Sequence, residues 1–262
     1  MKFGICSGII KERIPLSQMC LKVGFDYIEA NAGLLFSMSD EEIDEVVALN
    51  MPVYSANGLF PGCYPGTDKP IRIVGPERDL EWCKIFAADV MRKCGKLGIK
   101  RVVFGSGKAR HIPEGMDKEE GLAQYREVCL IMAEEAKKYD VTIVIEPLNY
   151  SETNSINTVK EGFEQVKLIN HPNVKVLMDI YHVYKNGEDT DYSDELAENL
   201  YHVHWGDPET RGTQKGITEP QLKFAELLKK MKYDGSVSIE GHLPENEEHA
   251  IAALKAFKEM FK

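Results

Sequence analysis

The chain has 262 residues, 43% of them hydrophobic, with 42 acidic side chains against 32 basic ones and a net charge of -10. A core of ordinary size needs no covalent staples, and the negative charge weighs against duplex nucleic acid or an anionic membrane as partner. No run approaches the ~20 apolar residues of a membrane helix, "MKFGICSGII" is too interrupted for a secretory leader, and the six cysteines contain no CxxC pair, so reduced thiols and a cytoplasmic location are expected.

Short apolar runs follow one another along the chain: "KFGIC" (2–6), "DYIEA" (26–30), "PVYSA" (52–56), "RVVFG" (101–105), "VTIVIE" (141–146), "VKVLMD" (174–179), "LYHVH" (200–204) and "SVSIE" (236–240). Several are rich in Val and Ile, as buried parallel strands are. Helical stretches are expected between them over 15–23, 39–49, 76–97, 117–139, 158–170, 190–199, 218–231 and 245–261. The third opens on Pro76 and stops at Gly98, and the second carries "SMSDEEIDEVV", a Ser cap before an acidic first turn. Eight strands, each followed by a helix, is the count of a (β/α)8 TIM barrel, an α/β single domain over 1–262. The competitor, an open doubly wound sheet, usually announces a Gly-rich phosphate turn after its first strand. Here that turn reads "CSGIIKERIP".

A barrel carries its functional groups at the C-terminal ends of its strands. The last four strands end in Glu146, Asp179, His204 and Glu240. Neighbouring parallel strands lie ~4.8 Å apart, so four such ends converge on one small volume. A single carboxylate at a strand end is usually a cap or a surface charge. Clustered carboxylates without a cation repel and raise one another's pKa values. Three carboxylates and one imidazole suit one divalent cation, Mn2+ first, with Co2+, Mg2+ or Zn2+ as alternatives.

"IEPLNYSE", "MDIYH", "HVHWGDPETR" and "SIEGH" resemble the motifs of the xylose isomerase-like sugar isomerase/epimerase superfamily, and most closely its ketose 3-epimerases. The resemblance implies metal ligation by Glu146, Asp179, His204 and Glu240. It implies substrate contacts from Glu152, six residues after Glu146, and His182, three after Asp179. Arg211 follows His204 by seven residues where the family has six, and Tyr150 stands where the family has arginine. The implied reaction is a sugar or sugar phosphate epimerase or isomerase acting through an enediolate, with Glu146 and Glu240 as paired acid and base. A lyase of the inosose dehydratase type is the alternative, since it begins with the same proton abstraction. Seven histidines and the net charge argue against an endonuclease needing several zinc ions and a basic groove. A homo-oligomer is compatible with the sequence.

The remaining candidates each have two readings. Glu152 contacts substrate or caps the next helix. His202, two residues before His204, points to the same face one layer deeper and is expected to be a buried, hydrogen-bonded group. "GSGKARHIPEG" (105–115), with Arg110 as a substrate-binding candidate, is an anion grip or a mobile loop. The Gly/Pro-rich segment 55–76 is a lid carrying Phe60 and Tyr64, or a subunit contact.

Overall fold

The computed structural model describes residues 1–212 and 216–261. Eight parallel strands close on themselves in sequential order: β1 (Lys2–Ile5), β2 (Tyr27–Asn31), β3 (Val53–Asn57), β4 (Arg101–Phe104), β5 (Thr142–Ile145), β6 (Val174–Asp179), β7 (Leu200–Trp205) and β8 (Ser236–Ile239). The last seals against the first, with Ile5 opposite Ile239. This is the (β/α)8 barrel, and the closure disposes of the open-sheet alternative.

The helices are α1 (Ile14–Val23), α2 (Ala32–Leu35), α3 (Asp40–Ala48), α4 (Leu80–Leu97), α5 (Lys118–Lys137), α6 (Val159–Ile169), α7 (Ile180–Asn186), α8 (Asp194–Asn199), α9 (Glu219–Lys230) and α10 (Glu247–Met260). Ser39 caps α3 as expected, accepting from the Glu42 N–H while the Glu42 side chain returns to the Ser39 N–H. Pro76 does not open α4. Residues before Leu80 form a turn, and the Asp79 carboxylate takes the Trp82 N–H at 2.9 Å, so the side-chain cap sets the start. α2 and α7 were not expected. Both are short and begin directly at a strand end, where the periodicity of a four- to seven-residue helix is too brief to read. The stretch expected over 190–199 is helical only as α8.

Alternation along the strands sends one set of side chains into the barrel and the other toward the helices. Ile143 and Ile145 of β5 join the large core between strands and helices, whereas Val144 meets Val103 and Leu177 in a separate cluster inside the barrel. Fully burying an aliphatic side chain of this size contributes roughly 1.5–3 kcal/mol. On the opposite side the same layer is polar, built from Glu29, Ser55, His202 and Ser238, all buried. The barrel interior is therefore half apolar plug and half hydrogen-bonded network. The C-terminal rim of the strands lies directly above both.

Candidate active site

Asp179 closes β6, His204 is the penultimate residue of β7, and Glu146 and Glu240 are the first residues beyond β5 and β8. Asp179 pairs with His204 in the sheet register, which puts the two side chains at one height. The structure brings all four together: one ligand atom from each lies within 4.8 Å of every other. The His204 Nδ1 is 3.0 Å from Glu146 Oε1 and 3.4 Å from Glu240 Oε2. Two glycines leave room at this point, one for the Glu146 side chain and one for the Arg211 backbone. A Cβ at Gly105 would collide with Glu146 Oε2, and one at Gly241, whose φ is 131°, would collide with the Arg211 carbonyl.

Asp179 does two jobs. Its Oδ1 accepts the Tyr181 N–H at 2.8 Å and so starts α7, while Oδ2 faces the site. α7 then returns His182 one turn later, with Nε2 3.4 Å from that Oδ2. His182 Nδ1 accepts from the Asn149 backbone N–H at 3.1 Å, which leaves the other ring nitrogen aimed into the site. Glu152 does not cap a helix. It lies in the turn after β5, half exposed, and accepts from Asn149 Nδ2 at 2.9 Å. Glu146, Glu152, His182, Arg211 and Glu240 all line one cavity of 280 Å³, and a second of 370 Å³ adjoins it at Asn31 and Asn57.

Arg211 reaches the same point from the loop after β7, whose residues 213–215 lie outside the described residues. One of its nitrogens sits 2.9 Å from Asp179 Oδ2 and 2.6 Å from Glu240 Oε2. Its guanidinium also lies over the Tyr181 ring at 4.4 Å. Arg211 itself is in the left-handed region, φ 52°.

The charges explain one another. Burial opposes the ionised form of Glu240, yet the charges on His204 and Arg211 outweigh it and hold its carboxyl down at about 2. Burial pushes Asp179 up to about 6, against the pull of His182 and with the repulsion of Glu240 added. His204, although burial disfavours its cation, is held well above the usual imidazole range by Glu240, Glu29 and Glu146. Three carboxylates around one imidazole face demand positive charge, and here a proton and the Arg211 guanidinium provide it. A divalent cation fits the same need. Its bonds of about 2.0–2.2 Å to oxygen and nitrogen span donors separated on this scale, and the donors are hard oxygens with one imidazole nitrogen.

Two expectations require correction. Arg110 is fully buried and does not face the cavity. Its guanidinium donates to the backbone carbonyls of Glu146 at 2.7 Å, Phe104 at 3.2 Å and Ile156 at 3.4 Å, and lies over the Tyr125 ring at 5.8 Å. It ties the exits of β4 and β5 together from beneath. Phe60 and Tyr64 do not cover the mouth. Phe60 stacks on Phe86 at 5.0 Å and Tyr64 meets Trp82 edge-on at 4.9 Å, so the segment after β3 is pinned down by an aromatic cluster. Of the loop 105–115, Ser106 and Gly107 line the site. Lys108 and His111 line a neighbouring cleft of 360 Å³ with Arg72, and this cleft shares Glu152 with the site. Cys6 lies beside the cluster with its thiol pushed well up by burial and by Glu29, which suits packing and not nucleophilic attack. Trp205 packs on Phe257 and Phe261 in the core.

Residues that the sequence reading passed over also shape the site. Asn57 Nδ2 donates to Glu240 Oε1 at 3.1 Å. Glu29 lies below, accepting from both His202 and His204 at 2.8 Å. His202 is the buried, hydrogen-bonded group expected. The available signal for Glu29 was an acid between Ile28 and Ala30 in the run "DYIEA".

The profile of the family described as xylose isomerase-like TIM barrel matches residues 18–260. A D-psicose 3-epimerase of Ruminiclostridium cellulolyticum is 28% identical, covering 84% of this chain and 74% of its own. A ketose 3-epimerase of Arthrobacter globiformis is 26% identical over 92% and 83% of the two chains. Among solved structures, D-psicose 3-epimerase with D-tagatose from Clostridium cellulolyticum superposes with a TM-score of 0.77 over 100% of both chains at 23% identity. Among the described residues, no helix is long and apolar enough to cross a membrane.

Proposed function

The chain belongs to the xylose isomerase-like TIM barrel family, and on that footing we propose that it is a metal-dependent sugar isomerase, in type a ketose 3-epimerase. What carries the reading is the convergence of Glu146, Asp179, His204 and Glu240 on one point, with Glu146 and Glu240 reaching it from strands that are not neighbours. The relatives named above as ketose 3-epimerases support epimerisation over loss of water.

The four side chains would hold one divalent cation, Mn2+ by preference. When bound, it supplies the positive charge that offsets negative charge developing on the oxygens of an α-hydroxy ketone as its C–H proton leaves. Glu146 and Glu240 each reach the site with a carboxylate. One, ionised, takes the proton from the carbon beside the carbonyl, and the other, protonated from solvent, gives a proton to the opposite face, inverting that centre. His182 Nε2 and the Glu152 carboxylate offer a donor and an acceptor to sugar hydroxyls at the rim of the same cavity. Arg211, already among the carboxylates, is suited to hold a substrate oxygen once a metal takes its place between them. The partner is a small sugar or sugar phosphate. Lys108, His111 and Arg72 in the adjoining cleft suit an anionic end.

The test is solvent exchange. Mn2+-loaded protein is incubated with a panel of ketoses in D2O and followed by NMR. One deuterium should enter at the carbon next to the carbonyl as the epimer forms, and Glu146→Gln and Glu240→Gln should each abolish it. A bound metal with no solvent deuterium in any ketose refutes the proposal, as does a product lighter by one water.

A further inference from the structure

Glu29 sits at the centre of the polar half of the barrel interior, fully buried beneath the carboxylate cluster. Its Oε2 accepts from Ser238 Oγ at 2.5 Å, Ser55 Oγ at 2.6 Å and His202 Nε2 at 2.8 Å. Its Oε1 is left for one partner, the Nε2 of His204, at 2.8 Å. The network is closed on its far sides. Tyr27 bonds Ser238 at 2.8 Å, and His202 Nδ1 meets Ser236 Oγ at 2.7 Å. A carboxylate can only accept, so both imidazoles must present an N–H to Glu29.

This settles which nitrogen of His204 faces the cluster. With Nε2–H committed to Glu29, the Nδ1 lone pair is the only one His204 has for a cation among Glu146, Asp179 and Glu240. We infer that Glu29 is a positioning residue of the metal centre: it selects the Nε2–H tautomer of His204, fixes the ring plane, and aims Nδ1 at the cation. The carboxylate also adds a buried negative charge behind the imidazole, strengthening it as a ligand. The inference rests on the metal reading of the site.

Glutamine at 29 has nearly the same shape and the wrong chemistry. Its single amide oxygen is drawn to the three donors of Ser55, Ser238 and His202. The NH2 then faces His204 Nε2, which must become an acceptor, and the proton moves to Nδ1 and points into the cluster. Mn2+ binding, read from the free-ion EPR signal, should weaken about 10–100-fold in Glu29→Gln. A merely structural role would lower resistance to urea and leave the affinity of the folded fraction unchanged. A second measurement needs no variant: in 15N-histidine-labelled wild-type protein loaded with Zn2+, His204 should show a proton on Nε2 and none on Nδ1.

Mn2+ affinity in folded Glu29→Gln within twofold of wild type overturns the inference, as does a Zn2+-bound His204 that carries its proton on Nδ1. Both outcomes leave the metal site standing. Wild-type protein that binds no Mn2+ removes the inference and the metal reading together.

Discussion

Arg110→Met separates a buried clamp from a substrate contact. The wild-type guanidinium makes its shortest bond, 2.7 Å, to the Glu146 carbonyl. The other two carbonyls it reaches each accept a second N–H, Phe104 from Glu146 at 3.3 Å and Ile156 from Leu148 at 3.1 Å. Methionine fills much of the space but donates nothing. It leaves one buried carbonyl unpaired, at about 1–3 kcal/mol, and removes two further charge-assisted bonds, to Phe104 and Ile156, whose carbonyls each keep a backbone N–H. The total comes to about 3–5 kcal/mol, in the range found when one partner of a buried charged group is removed. For a chain of this length that lowers the melting temperature by about 10 °C. Calorimetry on the metal-free and Mn2+-loaded protein reads the shift. Arg110→Lys should fall between, since a point charge cannot span three acceptors. Turnover should fall as well, because the clamp sets the exit of β5 from which Glu146 projects. An unchanged melting temperature with a tenfold rise in KM would refute the burial argument and return Arg110 to the substrate.

Arg211→Met removes the guanidinium that occupies the space between Asp179 and Glu240. The metal-free protein should lose stability to heat while Mn2+ binds several-fold more tightly, because its competitor has gone. Weaker Mn2+ binding on titration would show that Arg211 assists the cation instead. Mn2+ binding at pH 7 should release up to one proton, that of His204, which the surrounding carboxylates hold well above the usual imidazole range and whose Nδ1 must be bare to ligate. The sign follows: affinity rises with pH, and it falls more steeply below about 6, where Asp179 also carries a proton. For the metal-free protein, a folded pKa raised from 3.8 to about 6 favours the fold below 3.8, and that contribution is lost as pH rises through 6. Titration calorimetry in two buffers of different ionisation enthalpy counts the protons. A value of zero at pH 7 would contradict the charge assignment of His204.

The eight-strand count, the alternation with helices and the four acid- or imidazole-bearing strand ends that converge were all legible in the amino-acid order. Each is a local pattern: a Val/Ile run, a periodic stretch, a polar residue where a strand stops. Convergence of the strand ends follows from closure, because parallel strands of one barrel deliver their C-termini to one rim. The fate of each remaining side chain was not local. Arg110 and Lys108 are two residues apart in one loop, yet one is fully buried under carbonyls and the other lines an open cleft. That difference is set by how the loop packs on Tyr125 and the β5 exit. Phe60 looked like part of a lid until Phe86 and Trp82, more than twenty residues on, claimed it for the core. Glu29 is separated from His204 by 175 residues, and only closure of the barrel between β8 and β1 places it beneath that imidazole. Sequence order determined which strand ends carry the three acids and the imidazole. The tertiary structure alone decided which neighbours orient and neutralise those groups, because burial and hydrogen-bond partnership belong to residues distant in the chain.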